Sequence, residues 1–148
     1  LFSGTGNLGL EALSRGAQYA VFVDNNLSSI NTINENALRT RLKGKADIYR
    51  GDVLKILWRL KRDEKTFDIV FCDPPYNQGW VQQVLLFFDT NAMLNPCGLL
   101  ILEHSRHDDL TIGLQTLEVS REERYGETVI SFVTIRDEEL QGTRTAPF

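Results

Sequence analysis

Three times between Tyr19 and Thr90 the chain repeats one pattern: a short β-branched and aromatic run, a polar turn, then apolar residues at helical spacing. "YAVFVD" precedes the segment Leu27 to Leu42, "ADIYRGD" precedes "VLKILWRLKR", and "FDIVFCDPPY" precedes "WVQQVLLFFD". Parallel strands need long connections, usually helical, so strand–helix–strand repetition dictates parallel crossovers. The strand runs are almost wholly apolar, as parallel strands covered on both faces must be. The fold class this predicts is α/β: a Rossmann-like, mostly parallel twisted sheet.

The remaining segments complete that plan. "LGLEALSRG" has helical spacing and stops at Gly16, a residue suited to a C-terminal cap. Leu27, Ile30, Ile33, Ala37 and Leu38 fall on one helical face, and Asp52 is placed to cap the helix that follows it. "GLLILEH" reads as a further strand. "LQTLEVSREERYGETVISFVTI" reads as two long strands turning near Gly126, an antiparallel hairpin that closes the sheet. Beyond Arg136 the tail is polar and expected to fray. The chain opens without Met, and "LF" runs straight into a glycine loop, so most of the strand expected before that loop lies outside the sequence.

At 148 residues, 42% hydrophobic and 24% charged, the chain fits one soluble domain over 1–148. No apolar run reaches the roughly 18 residues that span a membrane. Cys72 and Cys97 have neither metal-ligand spacing nor the pattern of a disulfide framework, which points to a cytoplasmic setting and no metal site. A net charge of −4 argues against a broad nucleic-acid-binding face. Arg39, Arg41, Lys43 and Lys45 form a local basic cluster that reads first as a solvated helix end.

In a sheet of this kind ligands sit at the carboxyl ends of the strands. Those ends carry Ser3 to Gly6 within Gly4-Thr5-Gly6-Asn7-Leu8-Gly9, then Asp24, Asp52 and Asp73. Gly4 and Gly6 let backbone pass close to a cofactor, whereas Gly9 falls inside the first helix and suits close helix–strand packing. Asp24 can accept hydrogen bonds from both ribose hydroxyls, which serves NAD and S-adenosylmethionine equally. Asp52 can accept from an adenine amine, cap a helix, or do both.

Asp73-Pro74-Pro75-Tyr76 separates the two cofactors. Two prolines cannot donate to a ladder, so the strand stops there, and Pro75 forces Pro74 into an extended conformation. A nucleobase amine is a weak nucleophile because its lone pair is delocalised into the ring. The Asp73 carboxylate and Pro74 carbonyl, each accepting one N–H bond, favour a pyramidal nitrogen, a charge-assisted bond contributing about 1.5–3 kcal/mol. Tyr76 can stack on an extruded base, worth about 1–3 kcal/mol. A sulfonium methyl held in line completes the requirement without metal or covalent intermediate. An NAD-dependent oxidoreductase leaves this tetrapeptide without a role.

The layout and these motifs resemble class I methyltransferases, and "LFSGTGNLGLEALSRGA", "FVDNN", "GD" at Gly51-Asp52 and "DPPY" resemble the RsmD-like group. That resemblance implies methyl transfer from S-adenosylmethionine to guanine N2 of 16S ribosomal RNA, with small-subunit particles as partner. It makes Phe2, Ser3, Gly4, Thr5, Gly6, Asp24, Asn25, Asp52, Val53 and Asp73 cofactor contacts, and Asp73, Pro74, Pro75 and Tyr76 the catalytic clamp. It also implies a basic, RNA-gripping segment and an acidic residue ahead of Leu1, both outside this chain. Adenine N6 methylation in DNA or RNA and a non-catalytic RNA-binding module are the alternatives, the first using a closely related tetrapeptide.

Other reactive residues are expected to be structural. Cys97 in "NPCG" precedes a strand instead of ending one, unlike the nucleophile of cytosine-C5 methyltransferases. His104 and His107 have no matching ligand set, and Cys72 reads as a packed strand residue. Asn77-Gln78-Gly79-Trp80 reads first as a loop into the next helix, with a lid over the clamp or a contact to the base as the alternative.

Overall fold

The computed structural model describes residues 1–137; the polar tail expected to fray lies, but for Asp137, outside the described residues. Helix α1 (Asn7–Ser14) leads into β1 (Ala20–Asp24), α2 (Leu27–Arg39), β2 (Ala46–Arg50), α3 (Val53–Arg62), β3 (Phe67–Cys72), α4 (Trp80–Thr90) and β4 (Leu94–Ser105). The chain then forms the hairpin β5 (Leu117–Tyr125) and β6 (Thr128–Ile135). Its turn holds Gly126 at φ 62°, the left-handed region that glycine enters without cost.

Two sheets result. β1 and β2 pair in parallel, Phe22 opposite Ile48. The second has the order β3-β4-β6-β5, with β3 and β4 parallel and β6 inserted antiparallel between β4 and β5. Leu1 to Ser3 lie between the sheets: Ser3 N donates to Val23 O at 3.0 Å, and Leu1 N to Phe71 O at 2.7 Å. The parallel crossovers expected from the repeating pattern are thus present in both sheets, joined by this segment.

The pleat sends neighbouring residues to opposite faces. Phe22 packs with Leu10, Leu13, Ile30, Ile33 and Ala37 of α1 and α2, while Val23 packs with Leu57, Leu60, Val84, Leu85 and Leu100 on the other side. Gly9 is where α1 crosses β1: a Cβ there would stand 2.3 Å from Phe22 Cε1, so only glycine allows the approach.

Two boundaries differ from the sequence reading. α2 ends at Arg39, short of Leu42, because Arg41 turns the chain at φ 60°. Its buried residues are Ile30, Ile33 and Ala37, whereas Leu27 and Leu38 are exposed, since they sit at the margins of a stripe that only one sheet pair covers. β4 begins at Leu94, four residues before "GLLILEH", and Cys97 sits within it as an exposed residue at φ 62°.

One buried carboxylate anchors the hairpin. Asp89 at the end of α4 accepts from Gln115 N, Thr116 N and Leu117 N at 2.8–3.1 Å, and from Thr116 Oγ1. Burial raises its pKa, but these donors outweigh burial and hold the carboxyl below its usual range.

Candidate active site

The glycine loop is shaped by its own backbone and by α2. Gly4 and Gly6 adopt φ 55° and 79°, and Gly6 N donates to Ser3 O at 2.8 Å. Asn36 of α2 donates its Nδ2 to Thr5 O at 3.1 Å, and a Cβ at Gly6 would crowd Ile33 Cγ1 at 3.1 Å. A Cβ at Gly4 would meet nothing within 4 Å, so the loop's surface is open there. The two glycines differ: Gly6 is required by packing as well as by φ, Gly4 by φ alone.

Asp24 ends β1 with both oxygens engaged by backbone, Oδ2 by Gly4 N and Oδ1 by Asn26 N, each at 2.9 Å. Each carboxylate oxygen keeps a further lone pair that can accept a hydroxyl. These bonds fix the side chain against the loop before any ligand arrives. Asn25 follows it, and Asn26 caps α2 by accepting from Ser29 N at 3.1 Å. Asp52 caps α3, accepting from Lys55 N at 3.1 Å through Oδ1, with Val53 as the first residue of the helix. Gly51 N donates to Asp24 O at 3.0 Å and ties the two acidic strand ends together.

Asp73 follows β3 directly, its N–H 3.5 Å from Leu1 O, which brings the Asp-Pro-Pro-Tyr turn beside the loop. Phe2 of the loop meets Trp80, the first residue of α4, edge to face at 5.4 Å between ring centres. Pro74 is buried while Asp73, Pro75 and Tyr76 are exposed. The Asp73 carboxyl is nevertheless raised in pKa, first by partial desolvation and then by the negative charge of Glu103. Tyr76 Oη donates to Glu103 Oε1 at 3.1 Å and lies 3.0 Å from Thr128 Oγ1. The loop then runs through Asn77 at φ 55° to Gly79, which precedes α4.

Backbone contacts thus join the strand ends singled out from sequence, Gly4 and Gly51 to Asp24 on one side and Leu1 to Asp73 on the other, while Gly6, Val53 and Pro74 among the expected site residues are buried. A cleft of about 920 Å³ runs from the glycine loop between the facing edges of β1 and β3 to Asp73. It is lined by Val21, Phe67 and Ile69 and leaves out Asp24 and Asp52, so it is the gap between the sheets, not the acidic surface.

Glu103 and Thr128 were missed in the sequence. The available signal was a carboxylate ending the apolar run "GLLILEH". Thr128 had none, because it meets Tyr76 only through the strand order. Cys72 is buried, and burial pushes its thiol up to about 12, leaving it protonated and inert. His104 is buried with its Nε2 2.8 Å from Ser131 Oγ, and His107 sits by Glu127 on the surface. Among the described residues no His, Cys, Asp and Glu side chains group to hold a metal ion.

A family model described as conserved hypothetical protein 95 matches residues 1–134, and the chain belongs to that family. A putative rRNA methyltransferase of Bacillus subtilis, YlbH, is 35% identical over 131 residues, covering 88% of this chain and 71% of the relative. Ribosomal RNA small subunit methyltransferase D of Buchnera aphidicola (from Acyrthosiphon pisum) is 26% identical over 111 residues, covering 75% of this chain and 56% of the relative. The crystal structure of a putative methylase from Haemophilus influenzae superposes with a TM-score of 0.76 at 25% identity, covering 89% of this chain and 81% of that one. The fold is that of the class I methyltransferases.

Proposed function

We propose that the protein is an S-adenosylmethionine-dependent ribosomal RNA methyltransferase whose acceptor is an exocyclic amine, guanine N2 of small-subunit RNA. The observation that carries this is the Asp-Pro-Pro-Tyr turn beside the glycine loop, linked to it through Leu1 and through the Phe2–Trp80 contact. Family membership and the rRNA methyltransferase names of its relatives support the same substrate class. The reading extends to one catalytic domain over residues 1–148, working in the cytoplasm on small-subunit particles.

S-adenosylmethionine, when bound, supplies an electrophilic methyl group on a sulfonium. The chain's own residues account for the rest. Asp24 would accept the ribose hydroxyls on the lone pairs that Gly4 N and Asn26 N leave free. Asp52 would accept the adenine amine, Asn25 and Val53 are assigned to the same cofactor, and Phe2–Gly6, open at Gly4, would hold its amino-acid portion. Asp73 and the Pro74 carbonyl each take one N–H of the target amine, which localises its lone pair toward the methyl. Tyr76 stacks on the base and Pro75 stiffens the turn. Holding nucleophile and methyl in line replaces an intermolecular encounter, which can remove up to about 7–11 kcal/mol of the barrier.

The test is transfer of labelled methyl from S-adenosylmethionine to undermethylated small ribosomal subunits by the parent and Asp73→Ala proteins. The reading expects transfer by the parent and at least a hundredfold slower transfer by the variant. Equal rates refute the assigned role of the clamp, and no transfer by the parent refutes the activity.

A further inference from the structure

Among the groups that surround the clamp, Glu103 stands out because it meets two of the clamp's residues. Cys72 and Leu102 are register partners in the parallel pair β3–β4, so Asp73 and Glu103 are the next residues along two neighbouring strands. Their charges interact, and the Glu103 carboxylate accepts the Tyr76 hydroxyl. Thr128, first residue of β6 and register partner of Ser105, shares a hydrogen bond with the same hydroxyl. The phenol of an exposed loop is thus tied to two interior-sheet strands.

We propose that Glu103, assisted by Thr128, is a positioning residue for methyl transfer: it fixes the Tyr76 ring beside Asp73 before the base arrives. This inference rests on the methyltransferase reading above. The physical reason is entropic. A tyrosine that must stack on an extruded base loses affinity if its side chain has to be ordered at the moment of binding. An O–H···O⁻ bond is stronger than a neutral one and sets the ring in advance. The loop-borne tyrosine is thereby held by two strands, which keep geometry better than a loop does. Glu103 acts through Tyr76, which it hydrogen-bonds, and through its charge on Asp73, so it is a positioning residue and not itself part of the reacting group.

Two measurements separate this role from a structural one. The first is ionisation of Tyr76, followed by 13Cζ-tyrosine NMR on the whole protein and assigned with Tyr76→Phe. The phenol's pKa stands above its ordinary value: the Thr128 hydrogen bond lowers it, while burial, Glu103 and Asp73 raise it and prevail. Glu103→Ala removes two of the raising influences, so Tyr76 then ionises at lower pH. The second is kcat/KM for methyl transfer, expected to fall roughly five- to twentyfold in Glu103→Ala, with affinity for S-adenosylhomocysteine within about twofold of the parent. Glu103→Gln keeps an acceptor oxygen and recovers most of the loss. In the Tyr76→Phe background Glu103→Ala adds little, because the shared bond is already gone.

Unchanged Tyr76 ionisation in Glu103→Ala overturns the tether. A shifted ionisation with parental kcat/KM overturns the positioning role. If the parent itself transfers no methyl, the underlying reading fails, and the positioning role with it, while the NMR result still reports whether the tether exists.

Discussion

Gly9→Ala pits two known effects against each other, and the structure decides the sign. Gly9 lies in α1 with no positive φ, so alanine there would gain about 1 kcal/mol of helix propensity. The new Cβ would stand 2.3 Å from Cε1 and 2.7 Å from Cζ of Phe22. Phe22 is 2% exposed and is held by Leu10, Leu13 and Ile33, so its ring cannot swing aside. Overpacking of this kind costs about 1–3 kcal/mol, and contacts this short belong at the upper end. The net expectation is a loss of about 1–2 kcal/mol, a fall in Tm of roughly 2–8 °C for a domain of this size. Urea denaturation at constant slope is the assay, with Gly44→Ala as control, where a Cβ meets nothing and stability should stay within about 0.5 kcal/mol. Phe22→Leu should cost less in the Gly9→Ala background than alone. A Gly9→Ala protein as stable as the parent, or more so, would refute the account of why α1 lies so close to β1.

Asp89→Ala removes the shared acceptor of the Gln115, Thr116 and Leu117 N–H groups, of which that of Leu117 is buried, and a loss of about 1–3 kcal/mol in stability is expected from urea denaturation. Because the folded-state pKa of Asp89 is depressed, its stabilisation is complete above the unfolded value of about 3.9 and disappears as pH falls through the folded one. The acid limb of the parent's stability curve should therefore be steeper than that of Asp89→Ala, as thermal melts between pH 2 and 5 can show. Asp24→Ala should weaken S-adenosylhomocysteine binding roughly ten- to hundredfold by calorimetry, while the parent shows no NAD binding. Asp73 is the reverse of Asp89: its raised pKa means that ionising it costs stability above the unfolded value. Asp73→Asn should be slightly more stable than the parent at neutral pH yet slower in transfer, and parental transfer should rise with pH through a carboxyl value above the ordinary one.

The strand-to-helix repetition made the parallel crossovers legible, because apolar runs and helical spacing are local properties. The same holds for Asp52, whose capping bond to Lys55 N depends only on residues three apart. The Asp-Pro-Pro-Tyr turn was readable for a covalent reason: proline has no N–H, so the strand had to stop. What stayed hidden depends on strand order. That β6 inserts beside β4, placing Thr128 against Tyr76, is a consequence of pairing between segments far apart in sequence. The role of Asp89 stayed hidden for the same reason, since its partners lie beyond the intervening strand β4. The end of α2 was misjudged because an apolar residue, Leu42, follows the turn at Arg41 and still packs on the same core, which the sequence cannot distinguish from a longer helix.

The most direct test of the central claim is nucleoside analysis of small-subunit RNA after incubation with the protein and S-adenosylmethionine. The account predicts that N2-methylguanosine appears with the parent protein and is absent with Asp73→Ala. A product methylated on a ring carbon, a ring nitrogen or a ribose oxygen would contradict it, because the Asp73–Pro74 acceptor pair has a use only where an amine offers two N–H bonds.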